Sequence, residues 1–265
     1  MNRLTYTLIF VTACFIIYGQ RAVQIKFSSP GITVSEKTIF YKLAQNIIPI
    51  KIQQYGDRTD LVFIKLHDDE FTSVEATKRI LESEGGLLIE IENKSQRNIR
   101  FKFGNSFYSV DPNRIFSKEG IKKSMDELGK TNIYALNEVE KFGQRIIQLI
   151  PETANCVIAL HNNTPDQFSV IEYSVGNKRS ADTKKIYINN EQDPDDFFLT
   201  TDQQLYEKLA DLGYNSVLQD NKNCLEDGSL SVYCGKNRIR YVNCETEHGK
   251  IEQYFLMIQS ILNSL

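Results

Sequence analysis

Two of the three histidines in this chain occupy the same kind of position in the sequence. His67 directly follows a largely apolar run, Leu61–Leu66. His161 directly follows another, Cys156–Leu160. Runs of this length, rich in β-branched residues, are typical of buried strands. Ligand sites of open α/β sheets collect at the carboxyl ends of the strands, so we expect the two imidazoles to lie close together.

A carboxylate completes this set of groups. Glu70 lies three residues after His67, at the predicted turn from strand to helix. With His161 it gives two nitrogens and one carboxylate, the three-ligand set of catalytic zinc sites whose fourth position holds water. Zinc lowers the pKa of such a water to roughly 7. We therefore predict Zn2+ as the cofactor, although a lone histidine is more often a satisfied structural residue.

Asn113 and Arg114 are adjacent in a predicted loop, Asp111–Phe116. A guanidinium fork matches a carboxylate bidentately, so this pair is a candidate clamp for a carboxylate on the substrate. The simpler interpretation is a surface turn with a solvated arginine.

The segment Tyr241–Gly249 ends a predicted strand in acidic residues. Glu245 follows the apolar part of the strand directly, and Glu247 would lie on the same face. Either carboxylate could serve as the general base toward a metal-activated water. The alternative is an exposed acidic turn, with His248 at the start of a helix.

The elements that must position these residues alternate between strand and helix. No repeat or linker divides residues 21–265, which predicts one domain. The alternation predicts an α/β fold with a mixed, mostly parallel β-sheet and helices on both faces. The predicted strands are 58–66, 87–91, 99–103, 156–160, 184–188 and 239–244, and the predicted helices are 72–83, opened by a capping-box spacing, 117–129, 135–149 and one from about 250.

Composition restricts the partners. The chain has 265 residues, a net charge of −3 and no basic block, which argues against nucleic-acid binding. A hydrophobic content of 41% is ordinary for a folded globular protein.

The first twenty residues differ from the rest. Arg3 precedes an apolar run, Leu4–Tyr18, which is shorter than the roughly 20 residues that a membrane span needs. The pattern is typical of a signal peptide over residues 1–20, cleaved near Gln20. It predicts a secreted or periplasmic protein with no stable membrane span after removal of the signal. Lipoprotein anchoring at Cys14 is the alternative.

Four cysteines follow this segment, and an even number permits disulfides in an exported protein. Cys224 and Cys234 flank a Gly-Ser turn and are the better candidate pair. Cys156 and Cys244 lie in apolar runs and are equally consistent with buried free thiols.

Taken in order, these motifs resemble the zinc carboxypeptidase superfamily, most closely its aspartoacylase and succinylglutamate desuccinylase branch. Asp111–Phe116 resembles the D-L-N-R-x-F segment of that branch, and Leu160–Thr164 resembles its L-H-N-T-T segment. The resemblance spans about residues 58–250. It implies zinc ligands, a substrate clamp and a general base at these positions: His67, Glu70 and His161; Asn113 and Arg114; and Glu245.

The resemblance also implies an arginine that polarises the scissile carbonyl. This sequence has no clear counterpart. Arg100 is the first candidate and Arg97 the second. The implied activity is hydrolysis of an amide bond in a small peptide or an N-acyl amino acid that carries a carboxylate.

Two alternatives come from other functional classes. A non-catalytic binding domain could have kept the fold, a reading favoured by Asp68-Asp69 inside the HxxE segment and by the missing arginine. A disulfide-stabilised envelope protein without metal is the other.

Overall fold

Within residues 21–27 and 31–265, which the computed structural model describes, runs of strands are interspersed with helices. The strands are β1 (Arg21–Phe27), β2 (Thr33–Leu43), β3 (Asn46–Tyr55), β4 (Leu61–Lys65), β5 (Gly86–Ile91), β6 (Ile99–Phe103), β7 (Ser106–Val110), β8 (Cys156–Asn163), β9 (Thr183–Tyr187), β10 (Phe197–Thr200), β11 (Ser216–Gln219) and β12 (Tyr241–Glu247). The helices are α1 (Phe71–Glu84), α2 (Lys118–Glu127), α3 (Ile133–Ile147), α4 (Gln203–Asp211), α5 (Leu230–Lys236) and α6 (Ile251–Ser264).

Ten of these strands form one sheet, in the order β1-β2-β3-β5-β4-β8-β12-β10-β11-β9. Its centre, β5-β4-β8-β12, is parallel. The strands β1, β2 and β3 extend one side as an antiparallel meander. On the other side β10 is antiparallel to β12 and parallel to β11. The predicted α/β domain with a mixed sheet is confirmed.

Both faces of the central strands are buried, which explains why they read as continuous apolar runs. In β8, Cys156, Ile158 and Leu160 join the core formed with α1, α4 and α6. Val157 and Ala159 point the other way and join the core formed with α2, α3 and α5. Because successive side chains alternate between faces, His161 shares the face of this second pair.

Helix α1 begins at Phe71, so the predicted capping box over residues 72–75 is wrong. The backbone N–H of Ser73 donates to Oδ1 of Asn162 at 3.0 Å, and Nδ2 of Asn162 donates to the carbonyl oxygen of Thr246 at 3.3 Å. This cap comes from a distant strand, which local spacing cannot indicate. It fixes the start of α1 against the ends of β8 and β12.

Several elements were not predicted: β1, β2, β3, β7, β10, β11, α4 and α5. Strands β10 and β11 have four residues each, too short to show a periodicity, although all of their residues are buried. Their place depends on pairing with β12 and with each other rather than on a local pattern.

The candidate pair Cys224 and Cys234 does not form a disulfide, whereas Cys156 and Cys244 are buried free thiols, as the alternative expected. Cys234 is buried in the core on α5, whereas Cys224 lies in the preceding loop. Burial raises the pKa of the Cys156 thiol to about 12, which leaves it inert at neutral pH.

The predicted signal peptide, including Cys14, lies outside the described residues. In the described part of the chain, every helix is too short or too polar to cross a bilayer.

Tight packing joins α3 to the loop after β7. Gly143 faces this loop, and a Cβ at that position would lie 2.2 Å from the carbonyl oxygen of Ile115. Replacing glycine by alanine ordinarily stabilises a helix interior by about 1 kcal/mol. Here we expect Gly143→Ala to lower the free energy of unfolding by about 1–3 kcal/mol, because the backbone of α3 or of the loop at Ile115 must move.

Urea unfolding tests this prediction. Gly31→Ala is the control, since a Cβ there meets nothing within 4 Å and should change stability by less than about 0.5 kcal/mol. An unchanged or stabilised Gly143→Ala protein would contradict the packing.

Candidate metal centre

The parallel centre of the sheet brings two histidines to one edge. His161 lies near the end of β8, and His67 follows the end of the neighbouring strand β4. Both side chains are buried, with 3% and 1% of their surface exposed. A backbone contact holds the first of them: the N–H of His161 donates to the Tyr254 hydroxyl at 3.1 Å, and that hydroxyl donates to the Cys244 carbonyl at 2.9 Å.

Three potential ligand groups converge at this edge. Nδ1 of His67 lies 3.0 Å from Oε1 of Glu70. Nδ1 of His161 lies 3.0 Å from Oε2 of the same carboxylate. The two Nδ1 atoms are 3.3 Å apart. Sequence reasoning therefore placed these three residues together correctly, although the ligand role itself stays a prediction.

The arrangement suits a cation. Each Nδ1 atom lies 3.0 Å from the Glu70 carboxylate and 3.3 Å from the other Nδ1 atom. A cation between them would accept a lone pair from both rings together with a carboxylate oxygen. Tetrahedral ligands near 2 Å from zinc lie about 3.3 Å from one another, close to the separations observed here. The donor set of two nitrogens and a carboxylate therefore fits Zn2+.

Asp111 orients one of the imidazoles. Its Oδ1 lies 2.8 Å from Nε2 of His67 and also accepts a hydrogen bond from the backbone N–H of Asn113 at 2.8 Å. Nε2 of His67 therefore carries a proton, so that the ring, when neutral, presents its lone pair at Nδ1. Carboxylates play this role behind many histidine ligands of metals. Asp111 opens the motif Asp111–Phe116, but its contact with His67, 44 residues away, has no local signal in the sequence.

Charge interactions within the cluster are strong. Burial by itself would lower the pKa of His67, but the carboxylates of Glu70 and Asp111 outweigh it and raise the pKa to about 9. Burial would raise the pKa of Glu70, yet the imidazoles of His67 and His161 hold it well below its ordinary range. In the absence of metal, a proton on His67 therefore balances the carboxylates. A bound cation takes over that role.

Glu245 stands next to the cluster. It is the register partner of His161 across the β8–β12 pair, and it is buried. Nδ2 of Asn243 donates to its Oε1 at 3.0 Å and fixes the carboxylate. Burial, assisted by the charge of Glu70, raises the pKa of Glu245, while His161 and the hydrogen bond from Asn243 oppose the shift. A carboxylate with a raised pKa suits proton transfer near neutrality.

Glu247, the other candidate base, is engaged elsewhere. Its Oε2 pairs with Nζ of Lys250 at 2.9 Å, and it lies outside the cleft lining. With Asp193 and Asp195 it forms a second group of clustered carboxylates. Lys250 also contacts Asp193 at 2.6 Å and neutralises this group. An all-oxygen cluster that already holds an ammonium group is a poor zinc site.

A cleft of about 470 Å³ is lined by the three potential ligands and also by Asn113 and Arg114. Pro112 takes the first position of a 3-10 turn, where no amide hydrogen is needed. Oδ1 of Asn113 accepts from the N–H of Leu230 at 3.0 Å, so the amide presents Nδ2 as a donor. The Arg114 guanidinium lies 3.3 Å from a carboxylate oxygen of Asp227. The predicted clamp residues therefore lie in the cleft, with an acidic neighbour that sequence analysis missed.

The structure does not bring Arg100 to the cleft. This residue is exposed on β6, its guanidinium stacks 4.6 Å from the ring of Phe107, and it does not line the cleft. Arg97 does line the cleft, and its Nη1 donates to Oε1 of Glu70 at 2.8 Å. The two arginines lie on opposite sides of the start of β6, a difference that depends on the preceding turn rather than on the local pattern.

Similarity to known proteins is found among solved structures. The sequence matches no protein-family model and no curated protein. Among solved structures, an aspartoacylase family protein from Mesorhizobium loti is 14% identical, over 92% of this chain and 70% of that chain, with a TM-score of 0.49. The murein-tripeptide amidase MpaA from Escherichia coli O157 is 15% identical, over 85% and 91%, with a TM-score of 0.46. A cold-adapted esterase from an Arctic metagenomic library is 9% identical, over 56% and 63%, with a TM-score of 0.27.

Identities and TM-scores at this level do not transfer an activity, so the function must be inferred from the geometry of this chain.

The raised pKa of His67 predicts how the metal-free protein responds to pH. The pKa of His67 is about 9 in the folded protein and 6.5 ordinarily. Protonated His67 therefore stabilises the folded state fully below pH 6.5, and this stabilisation is lost as the pH rises through 9. We expect the free energy of unfolding, measured in chelator, to fall over this range. His67→Gln should lack this part of the pH dependence, and equal slopes in both proteins would contradict the charge assignment.

Proposed function

We propose that this protein is a zinc-dependent hydrolase that cleaves an amide bond in a small substrate carrying a free carboxylate. One observation carries the proposal: two buried imidazole nitrogens and the Glu70 carboxylate converge within 3.3 Å, beside a second buried carboxylate, Glu245, at the wall of a cleft. A structural ion-pair cluster would not require two imidazole nitrogens to face each other. It would also not require an open cleft.

The chemistry divides between the ion and the side chains. When bound by His67, Glu70 and His161, zinc supplies a Lewis acid and lowers the pKa of water. Glu245 accepts the proton of the attacking water and returns it to the leaving amine, a task that its raised pKa favours. Arg97 offers a guanidinium to the oxyanion that develops on the carbonyl.

The rest of the cleft supports a small anionic substrate. Its volume of about 470 Å³ is in the range of small-ligand sites. Arg114 and the Nδ2 donor of Asn113 can bind a carboxylate, with Arg114 sharing its charge with Asp227. Short peptides with a free C-terminus and N-acyl amino acids both meet this requirement.

Metal analysis tests the zinc centre. After metal-replete refolding we expect about one zinc per chain, and His161→Ala should lose most of it because two ligands rarely hold zinc in proteins. Asp193→Asn is the matched control, since it alters the acidic cluster around Lys250 and should keep the metal. Zinc well below one per chain in the unaltered protein would count against the proposal. Zinc lost from Asp193→Asn rather than from His161→Ala would also count against it.

Two isosteric variants test the general base. Glu245→Gln should retain zinc but lower kcat by about 10²–10⁴-fold toward N-acyl amino acids or dipeptides, because the amide cannot accept the proton. Glu247→Gln should stay within about threefold of the unaltered protein, since its pairing with Lys250 keeps it out of the cleft. The reverse pattern would show that the base is misassigned. Substrate binding without turnover by the zinc-loaded, unaltered protein would instead indicate a non-catalytic binding domain.

A further inference from the structure

The turn that carries Arg97 adopts an unfavourable backbone conformation. Lys94 and Ser95 have φ angles of 54° and 57°, two successive residues other than glycine in the left-handed region. Side chains rarely tolerate this conformation unless surrounding contacts impose it. The next residues lead into Arg97, whose guanidinium reaches Glu70. The position of this guanidinium therefore depends on whatever imposes the turn.

Asp68 supplies those contacts. Its Oδ2 accepts hydrogen bonds from the backbone N–H groups of Asn93 at 2.6 Å and Ser95 at 2.8 Å. Hydrogen bonds to an ionised acceptor are about twice as strong as neutral ones. Asp68 is 8% exposed, so little water competes for its oxygens.

The other oxygen anchors Asp68 to the sheet. Oδ1 accepts from Nζ of Lys65, at the end of β4, at 2.8 Å. Nζ also lies 3.4 Å from the Glu90 carboxylate on β5, and Lys65 is 3% exposed. This buried ammonium lies between the two carboxylates and fixes Asp68 relative to the strands, while Nζ of Lys78 lies 3.4 Å from the other oxygen of Glu90. A continuous series of contacts thus runs from β4 and β5 through Asp68 to the turn.

We propose that Asp68 is a positioning residue that holds the turn over residues 93–96 so that the Arg97 guanidinium stays on Glu70 and faces the cleft. The Asp68 side chain contacts the turn and Lys65 rather than the three potential metal ligands. Asp68, between His67 and Glu70 in the sequence, therefore acts on the site indirectly, through the turn and Arg97. The effect on catalysis rests on the proposed function, whereas the effect on the turn and on Arg97 can be measured without it.

Three variants separate this role from general stability. Asp68→Asn keeps the shape of the side chain but removes the charge that holds both N–H groups. Glu90→Gln is the matched control, because it removes a charge from the same Lys65 network without touching the turn. Asn93→Ala loosens the turn from its outer side, where Nδ2 of Asn93 donates to the carbonyl oxygens of Gln96 and Asn98 at 3.0 and 2.9 Å. Since Asn93 is only partly buried, this variant tests the proposal even if Asp68→Asn fails to fold.

Two measurements test the proposal without requiring catalytic activity. Hydrogen exchange at the backbone amides of Asn93 and Ser95 should accelerate at least about tenfold in Asp68→Asn and should stay unchanged in Glu90→Gln. In a crystal structure of Asp68→Asn or Asn93→Ala, the Arg97 guanidinium should move beyond the roughly 4 Å limit of an ion pair with Glu70. Protected amides together with an unmoved Arg97 in both variants would overturn the proposal.

A double-variant comparison supplies the kinetic readout. Arg97→Ala should lower kcat by about 10²–10³-fold as a lost oxyanion donor, and Asp68→Asn should lower it at least about tenfold. Adding Asp68→Asn to Arg97→Ala should change kcat by less than about twofold, because both act through one guanidinium. If the two losses in kcat multiply in the double variant, Asp68 acts independently of Arg97, and the proposal is overturned. If the unaltered protein hydrolyses nothing, the proposed function fails, while the exchange and crystal results still decide the role of Asp68.

Discussion

The structure depends on the mutual approach of two imidazole nitrogens and one carboxylate in a buried place. Removing such groups from water is costly unless they are paired or bind a metal. The surrounding side chains supply partial compensation: Asp111 accepts from one imidazole, and Arg97 donates to the carboxylate. The remaining imbalance is what a divalent cation would relieve.

This constraint explains features that stability alone does not require. The parallel centre of the sheet places the ends of β4, β8 and β12 at one edge, and strand alternation directs His161 and Glu245 to the same face. The start of α1 is capped by Asn162 from β8 instead of by its own first turn. These contacts join three strands and a helix within a few residues of the cluster. The fold therefore fixes the relative positions of groups that are distant in sequence.

Much of this could be predicted from the sequence. The central strands are buried on both faces and so appear as apolar runs, and the position after each run predicted where His67 and His161 would meet. The spacing of Glu70 added the third group. Asn113 and Arg114, predicted to bind a substrate carboxylate, line the cleft.

The sequence failed where a contact joins residues far apart in the chain. Choosing Arg100 over Arg97 required the shape of a turn that Asp68 imposes from 25 residues away. The short strands β10 and β11 and the helix cap at Asn162 depend on partners elsewhere in the chain. Local pattern and spacing contain no information about such partners.

X-ray absorption at the zinc edge of the zinc-loaded protein tests the central claim most directly, because it identifies the atoms around the ion. The account predicts two imidazole nitrogens and a carboxylate oxygen at about 2.0–2.2 Å, with one imidazole lost in His161→Ala. A shell of oxygen atoms alone, or sulfur at about 2.3 Å, would contradict it, since the ion would then lie at the acidic cluster or at a cysteine.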